Sequence, residues 1–330
     1  MKLEKLGMKL PKLTISSVGS LPKPPVLKNA RAQFEKNEIS REDLTAIERK
    51  ATKDWVEFQD KLGIDVIVDG EMYRGDMVAY FAELLPGFER GSFVRSYGNR
   101  YYRKPIITSE VIWEEPLTVS WWKYAQSLTS KPVKGMLTGP YTIMDWSFNE
   151  HYRNRRETCL ALAKVVRKEV EALIKAGATI IQVDEPACSV RTNEISLVIE
   201  AMNEVTRDLP AYFLTHICYG TFAKIYPEML NIPVENFDLE MSNSDNDLLK
   251  CFKKNSFTKD LSAGVSDVHS HLVETKEEVR KRILEIAEFV PPQNLWIDPD
   301  CGLKTRSVQE AKSKLQVIVE TVKTLRKELE

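Results

Sequence analysis

Short apolar segments alternate with longer amphipathic segments along most of the chain. The apolar segments are rich in β-branched residues, and most are followed by a stretch with apolar positions at helical spacing. This pattern predicts eight strands: TISSVGS (14–20), DVIVDGE (65–71), VKGMLTG (133–139), TIIQVDE (179–185), YFLTHIC (212–218), NFDLEMS (236–242), LSAGVSDVHS (261–270) and NLWIDPDCG (294–302).

The amphipathic segments carry signals for helix ends. Residues 157–177 predict a helix that stops at Gly177, the residue type that best tolerates the left-handed conformation after a helix. Residues 274–290 have the same character, and Pro291 follows them where a helix cannot continue. A third helix is predicted over residues 307–330.

Eight strand–helix alternations predict an α/β protein with a (β/α)8 TIM barrel. A chain of 330 residues suits one such barrel, and no repeat or linker divides it, so we predict a single domain over residues 1–330. An aromatic and basic insertion, residues 88–115, follows the second strand and predicts a hairpin or long loop on one rim. A doubly wound open sheet is the alternative, but no Gly-x-Gly-x-x-Gly follows any predicted strand.

Composition and charge exclude several classes of protein. The formal net charge is −1 and no long basic stripe occurs, which argues against a nucleic-acid partner. No apolar run reaches the roughly 18 residues of a membrane span, and the N-terminus lacks the apolar core of a signal peptide, so we expect no membrane partner and a cytoplasmic location. The five cysteines are odd in number and scattered, which leaves buried thiols or metal ligands rather than disulfides.

Polar residues able to do chemistry follow the apolar parts of most predicted strands. In a barrel the active site lies at the carboxyl ends of the strands, so this distribution predicts an active site at that rim. The residues concerned are Asp69, Glu71, Asp184, Glu185, His216, Cys218, Glu240, Asp267, His269, Asp298, Asp300 and Cys301.

His216 and Cys218 lie one residue apart on a predicted strand, so their side chains point to the same side. Together with Glu240 and Cys301 from other strand ends they form a His/Cys/Cys/Glu set that suits tetrahedral Zn²⁺. Each residue alone would be explained more simply as part of the core, since free cysteines are often buried. Ligands that come from separate strands, rather than from one small loop, favour a catalytic metal.

The motifs resemble those of the catalytic C-terminal barrel of cobalamin-independent methionine synthase. The resemblance covers nearly the whole chain, is most specific in VKGMLTGP and PDCGLKTR, and is closest to the short, single-barrel branch of that family. The matching stretches are SSVGSLP (16–22), DVIVDGEMYRGDMVAYFAELLPGF (65–88), VKGMLTGPYTIMDWSF (133–148), IIQVDEPA (180–187), LTHICY (214–219), LEMSNSD (239–245), SDVHS (266–270) and LWIDPDCGLKTR (295–306).

The resemblance implies a zinc-dependent homocysteine methyltransferase that forms methionine and binds one Zn²⁺ per chain. It makes His216, Cys218, Glu240 and Cys301 the zinc ligands and His269 the proton donor. For homocysteine it implies that backbone donors at Val18, Gly19 and Ser20 hold the carboxylate, while Glu71 and Asp184 hold the ammonium group. For the methyl donor it implies Trp146, as a platform for a pterin ring, and Arg100.

The chain departs from the family pattern on the methyl-donor side. Val190 stands where the family has an acidic residue that contacts folate, and Asp145 stands where an asparagine is usual. The stretch around Arg100 has one residue more than the family pattern. The resemblance therefore leaves two donors open, 5-methyltetrahydrofolate and a methylated corrinoid protein, and the latter would be a protein partner.

Two other functions stay open at this point. One is a related zinc-dependent alkyltransferase that acts on another thiol or uses another donor. The other is a non-catalytic subunit of a corrinoid methyl-transfer system that keeps zinc for stability. The amino-acid-binding residues argue against the first, and His269, which a structural zinc site would not need, argues against the second.

Overall fold

The structure of the chain is a computed structural model that describes residues 2–96, 100–218, 220, 222–242 and 247–329. Within these ranges the side chains of Lys2, Ser96, Arg100 and Tyr102 are not described. The strands are β1 Thr14–Ile15, β2 Phe88–Glu89, β3 Phe93–Ser96, β4 Arg100–Arg103, β5 Ile106–Ile107, β6 Gly135–Thr138, β7 Phe148–Asn149, β8 Ile180–Asp184, β9 Tyr212–Ile217, β10 Asn236–Leu239, β11 Asp260–Gly264 and β12 Leu295–Asp298.

The described residues contain eleven α-helices. They are α1 Lys2–Lys5, α2 Pro25–Glu35, α3 Arg41–Leu62, α4 Ala79–Leu84, α5 Val119–Gln126, α6 Pro140–Asp145, α7 Arg155–Ala176, α8 Ile195–Thr206, α9 Asp247–Lys254, α10 Lys276–Ala287 and α11 Val308–Glu328. In the ranges that the structure describes, no helix is long and apolar enough to cross a membrane.

The long helices begin and end where their sequences signal it. The side chains of Thr275 and Ser307 accept hydrogen bonds from the third residue of α10 and of α11, and a glutamate at that position returns the bond in a capping box. Helix α7 begins after Asn154, which caps it, and ends at Gly177 with φ 108°. The three predicted helices are thus confirmed, with ends that differ by a few residues.

The chain divides into two compact units. The first comprises Met1–Tyr73, Trp121–Lys134 and Asn236–Glu330, and the second comprises Arg74–Ser120 and Gly135–Glu235. The prediction of one domain over residues 1–330 stays a prediction.

The first unit contains four parallel strands in the order β1-β12-β11-β10. Their side chains are almost entirely buried, as expected for parallel strands covered on both faces. The second unit contains the parallel strands β6-β8-β9, with Gly135 opposite Ile181 and Ile180 opposite Tyr212. It also contains a small sheet, β2-β5-β7, and the antiparallel pair β3-β4, which lies inside the predicted insertion 88–115.

Seven of the eight predicted strand segments contain a strand, and the observed strands are shorter than predicted. The exception is 65–71, all of which is described and which forms only an isolated bridge between Ile67 and Val133. Gly70 and Glu71 adopt φ values of 76° and 58°, which belong to a turn and not to a strand. The prediction of a full strand over 65–71 is therefore wrong, because its polar end turns back instead of extending.

Candidate active site

His216 and Cys218 lie at the carboxyl end of β9 in the second unit. His216 is the fifth residue of this fully buried strand, and Cys218 follows its last residue; both are about 5% exposed or less. The backbone around them is held by two contacts within the unit. The amide of Glu185 donates to the carbonyl oxygen of His216 (3.1 Å), and the hydroxyl of Ser189 donates to that of Cys218 (3.0 Å).

Asp184 ends the neighbouring strand β8 and is largely buried. The side-chain amide of Gln182 donates to its Oδ1 (2.8 Å), which fixes the orientation of the carboxylate. The amide of Gly139 donates to the Asp184 carbonyl oxygen (2.8 Å), so the loop after β6 is tied to the end of β8. An oriented carboxylate at a strand end suits the binding of a substrate ammonium group.

Glu185 is a residue of this region for which no specific role was predicted. Its carboxylate is fully buried and accepts hydrogen bonds from the amides of Tyr141 (3.0 Å) and Thr142 (2.8 Å) and from the Thr142 hydroxyl (2.7 Å). Burial raises the pKa of Glu185 to about 7. The carboxylate fastens the start of α6 to β8, and α6 leads to Trp146. A sequence signal for this residue exists: Glu185 is the second of two successive acidic residues after a buried apolar run.

Trp146 follows α6 and is half-buried. Asp145 before it accepts hydrogen bonds from Arg155 Nη2 (2.8 Å) and Arg191 Nε (2.6 Å). The aspartate that departs from the family pattern is thus paired with two arginines within the second unit. Arg100 lies in β4, and its side chain is outside what the structure describes.

In the first unit, the segment after β1 contacts the turn at Glu71. The amide of Leu21, next to Ser20, donates to the carbonyl oxygen of Gly70 (3.0 Å). Within the turn, the amide of Glu71 donates to Asp69 Oδ1 (2.8 Å). Val18 and Gly19 are buried and Ser20 is half-buried. The contact brings the backbone predicted to hold the substrate carboxylate to the turn that carries Glu71.

Cys301 joins the same region of the first unit. A Cβ atom on Gly302 would collide with the Ser20 hydroxyl, so the loop after β12 passes directly against the loop after β1. Cys301 is half-buried. The tertiary structure of this unit therefore collects segments from three distant parts of the sequence, those of Ser20, Glu71 and Cys301.

Glu240 directly follows β10, and it lies near His269 in the loop after β11. His269 Nε2 is 4.0 Å from Glu240 Oε1, and the side chains are 34% and 11% exposed, respectively. The buried carboxylate of Asp300 holds the residues after Glu240. It accepts from the amides of Met241 (3.1 Å) and Ser242 (2.9 Å), and its pKa is raised to about 7 by burial.

The four predicted metal ligands are divided between the two units. His216 and Cys218 belong to the second, and Glu240 and Cys301 belong to the first. An imidazole with two thiols is a donor set that zinc prefers over magnesium or calcium, which favour oxygen ligands. The donor chemistry of this chain therefore fits Zn²⁺.

Comparison with known sequences decides the family. A family model described as "Cobalamin-independent synthase, Catalytic domain" matches residues 13–324. The chain belongs to this family. The family assignment confirms the resemblance seen in the sequence motifs, and its relatives are named methionine synthase or homocysteine methyltransferase.

Individual relatives of the cobalamin-independent synthase family differ in length. A methionine synthase of Saccharolobus solfataricus is 41% identical over 326 residues, with 97% of each chain covered. A 5-methyltetrahydropteroyltriglutamate–homocysteine methyltransferase of Neisseria meningitidis is 39% identical over 99% of this chain, which spans only 45% of that protein. This chain therefore covers about half the length of the longer relatives.

A solved structure confirms the predicted fold class. The B12-independent methionine synthase of Shewanella sp. W3-18-1, solved in complex with selenomethionine, matches with a TM-score of 0.85. The two share 26% sequence identity, and the match covers 96% of this chain and 99% of that one. The α/β class is thus confirmed, and the likeness accords with the TIM barrel that the strand–helix alternation predicts.

The same family assignment bears on the methyl donor. The family description is cobalamin-independent, and the Neisseria relative is named for a pteroyltriglutamate donor. A methylated corrinoid protein as donor and partner, one of the two options that the sequence left open, has no support among these relatives.

Proposed function

We propose that this chain transfers a methyl group from a 5-methyltetrahydropteroylglutamate to the sulfur of homocysteine and so forms methionine, with one Zn²⁺ per chain. The observation that carries the proposal is that this member of the family holds an imidazole and a thiol, His216 and Cys218, at the buried carboxyl end of β9. A relative of the same length that is named methionine synthase supports the product.

The proposed zinc ligands are His216, Cys218, Glu240 and Cys301. When bound there, Zn²⁺ would keep the homocysteine sulfur deprotonated at neutral pH, where a free thiol with a pKa near about 8.5 is mostly protonated. The buried strand β9 and the Asp300 contacts after Glu240 support this assignment, because they constrain the segments that carry His216, Cys218 and Glu240. Ligands that are already in position lose less free energy to ordering when the metal ion binds.

The amino-acid end of homocysteine needs partners of both charges. In the proposal the backbone of Val18, Gly19 and Ser20 binds the carboxylate, while Glu71 and Asp184 bind the ammonium group. The left-handed turn at Glu71 and the hydrogen bond from Gln182 to Asp184 support this assignment, because both orient a carboxylate in advance. The solved relative that holds selenomethionine supports a site for an amino acid of this size.

The methyl donor is proposed to bind at Trp146, a half-buried residue whose indole could stack with a pterin ring, and at Arg100. The substrate sulfur attacks the methyl carbon in line, so that the new S–C bond forms as the C–N bond to the pterin breaks. His269 supplies the proton that the leaving nitrogen takes up. An imidazole titrates near neutral pH, which suits this role.

The test is a turnover assay that measures methionine with zinc-loaded protein. Donors are 5-methyltetrahydropteroyltriglutamate, its monoglutamate form and methylcobalamin, and acceptors are homocysteine and 2-mercaptoethanol, which lacks the amino-acid end. Methionine should form from homocysteine with the pteroyl donors. Methylation of 2-mercaptoethanol at an equal rate would instead favour the alkyltransferase alternative.

The matched variants are Cys301→Ser and Cys251→Ser. Cys251 is a half-buried cysteine on α9 that is outside the proposed ligand set. Cys301→Ser should lose bound zinc and lose activity by at least about 100-fold, while Cys251→Ser keeps both. A Cys301→Ser protein with wild-type zinc content and wild-type rate would refute the proposal.

A further inference from the structure

His269 is carried by a loop whose two ends are joined by one carboxylate. The loop, residues 265–274, follows β11 and ends just before the cap of α10. At its start, the Ser266 hydroxyl donates to Glu274 Oε2 (2.8 Å) and the Asp267 amide donates to Glu274 Oε1 (2.7 Å). Glu274 lies at the other end of the loop and is only 10% exposed, so its carboxylate closes the loop at the base.

Lys314 fastens this closed loop to helix α11. Its side chain is fully buried, and its ammonium lies 3.0 Å from Glu274 Oε2 and donates to the Leu272 carbonyl oxygen (2.5 Å). A buried ammonium is costly unless a counter-ion and hydrogen-bond acceptors surround it. On a helix that is otherwise amphipathic, an apolar residue would fill this position at lower cost.

A second cation holds the beginning of the loop. Arg282 of α10 donates to the Val265 carbonyl oxygen (2.8 Å), and its Nη1 lies 3.9 Å from Glu274 Oε1. The backbone at both ends of the loop is therefore attached to helices by buried or half-buried charged groups. The loop cannot shift without breaking several hydrogen bonds to ions, which are stronger than those between neutral groups.

The fastened backbone leads directly to His269. The amide of His269 donates to Asp267 Oδ1 (2.7 Å), and the amide of Asp267 is itself held by Glu274. A continuous set of contacts thus runs from Lys314 through Glu274 and Asp267 to His269. The His269 side chain is 34% exposed, and these hydrogen bonds fix the backbone from which it projects.

We infer that Glu274 and Lys314 are positioning residues for His269, which hold its loop so that the imidazole meets the leaving nitrogen of the methyl donor. The inference rests on the proposed function, because His269 has a catalytic task only if the chain transfers methyl groups. A displacement of about 1 Å at a reacting group can reduce a rate by about 100-fold even when the change is remote from the chemistry. The pair should therefore act on turnover and not on homocysteine binding.

The test compares Glu274→Gln and Lys314→Met, each alone and combined with His269→Asn. The single variants should lower kcat by about 10- to 100-fold and leave the KM for homocysteine within about twofold. In the His269→Asn background they should have almost no further effect on kcat, because they act through His269. Rates are measured over a range of homocysteine concentrations with 5-methyltetrahydropteroyltriglutamate at saturation.

Glu169→Gln is the matched control. Glu169 is a buried carboxylate on α7 in the second unit that closes another segment, by accepting from Trp113, Leu117 and Thr118. None of these three hydrogen bonds involves the His269 loop. Its effect on kcat, whatever its size, should be the same in the wild-type and the His269→Asn backgrounds, as expected for a general loss of stability.

Amide hydrogen exchange of the metal-free protein gives a readout independent of turnover. In Glu274→Gln and Lys314→Met, exchange over residues 266–272 should accelerate by at least about tenfold, and exchange of the β11 amides should not change. Unchanged exchange in this loop would overturn the inference. So would variants that lower kcat by the same factor in both His269 backgrounds. A wild-type protein that forms no methionine would refute the proposed function first, and the positioning role with it.

Discussion

Replacing Asp300 by alanine should destabilise the protein far more than replacing it by asparagine. Asp300 is fully buried, and its Oδ1 accepts hydrogen bonds from the amides of Met241 and Ser242, while Oδ2 accepts from the Ser242 hydroxyl. Asparagine keeps Oδ1 for both amides, and its amide nitrogen can donate to the hydroxyl instead. Alanine removes every acceptor at once.

The magnitude follows from these contacts. Each buried polar group left without its partner costs about 1–3 kcal/mol, so loss of the acceptors for two amides and a hydroxyl in Asp300→Ala should cost at least about 3 kcal/mol of unfolding free energy. Asp300→Asn should cost about 1 kcal/mol or less, because weaker hydrogen bonds are offset by the removal of a buried charge. The difference exceeds the usual spread among single substitutions.

Urea denaturation of the metal-free proteins measures this difference directly. The midpoint for Asp300→Asn should stay close to the wild-type midpoint, and that for Asp300→Ala should fall clearly below it. In the same proteins, zinc affinity should fall by about 10- to 100-fold in Asp300→Ala, since the residues after Glu240 lose their support. Equal urea midpoints for the two variants would mean that stability depends on the negative charge of Asp300 and not on its hydrogen-bond acceptors, which would refute this prediction.

Other changes give further tests. Gly264→Ala should lower the unfolding free energy by about 1–3 kcal/mol in urea denaturation, because the new Cβ collides with Asp300, including its backbone. Trp146→Ala should raise the KM for the pteroyl donor about tenfold, with the KM for homocysteine unchanged, as steady-state kinetics can show. Burial lowers the pKa of Lys23 to about 8, so its ammonium destabilises the folded state at pH 7, and stability should rise between pH 8 and 10. Urea midpoints measured at pH 7 and at pH 10 should show that Lys23→Met is more stable than the wild-type protein at pH 7 and lacks this rise in stability.

The sequence by itself determined the local structure and the chemical identity of the donors. Helix limits were readable because caps such as Asn154 and Gly177 act within a few residues of the helix that they end. The common direction of His216 and Cys218 follows from strand geometry alone, and the structure places both at the buried end of β9. The donor types, imidazole and thiol, are likewise a property of composition.

Only the tertiary structure decided which remote groups hold these residues. The sequence did not predict that Glu185, Asp300 and Lys314 hold other segments in place, because their partners are separated from them by about forty to sixty positions in the sequence. The turn at Glu71 was misread as a strand because an apolar run precedes it, and a positive φ leaves no mark on hydrophobic periodicity. Burial of a charge is stable only where distant donors converge on it, and that convergence is created by the fold and not by any local pattern.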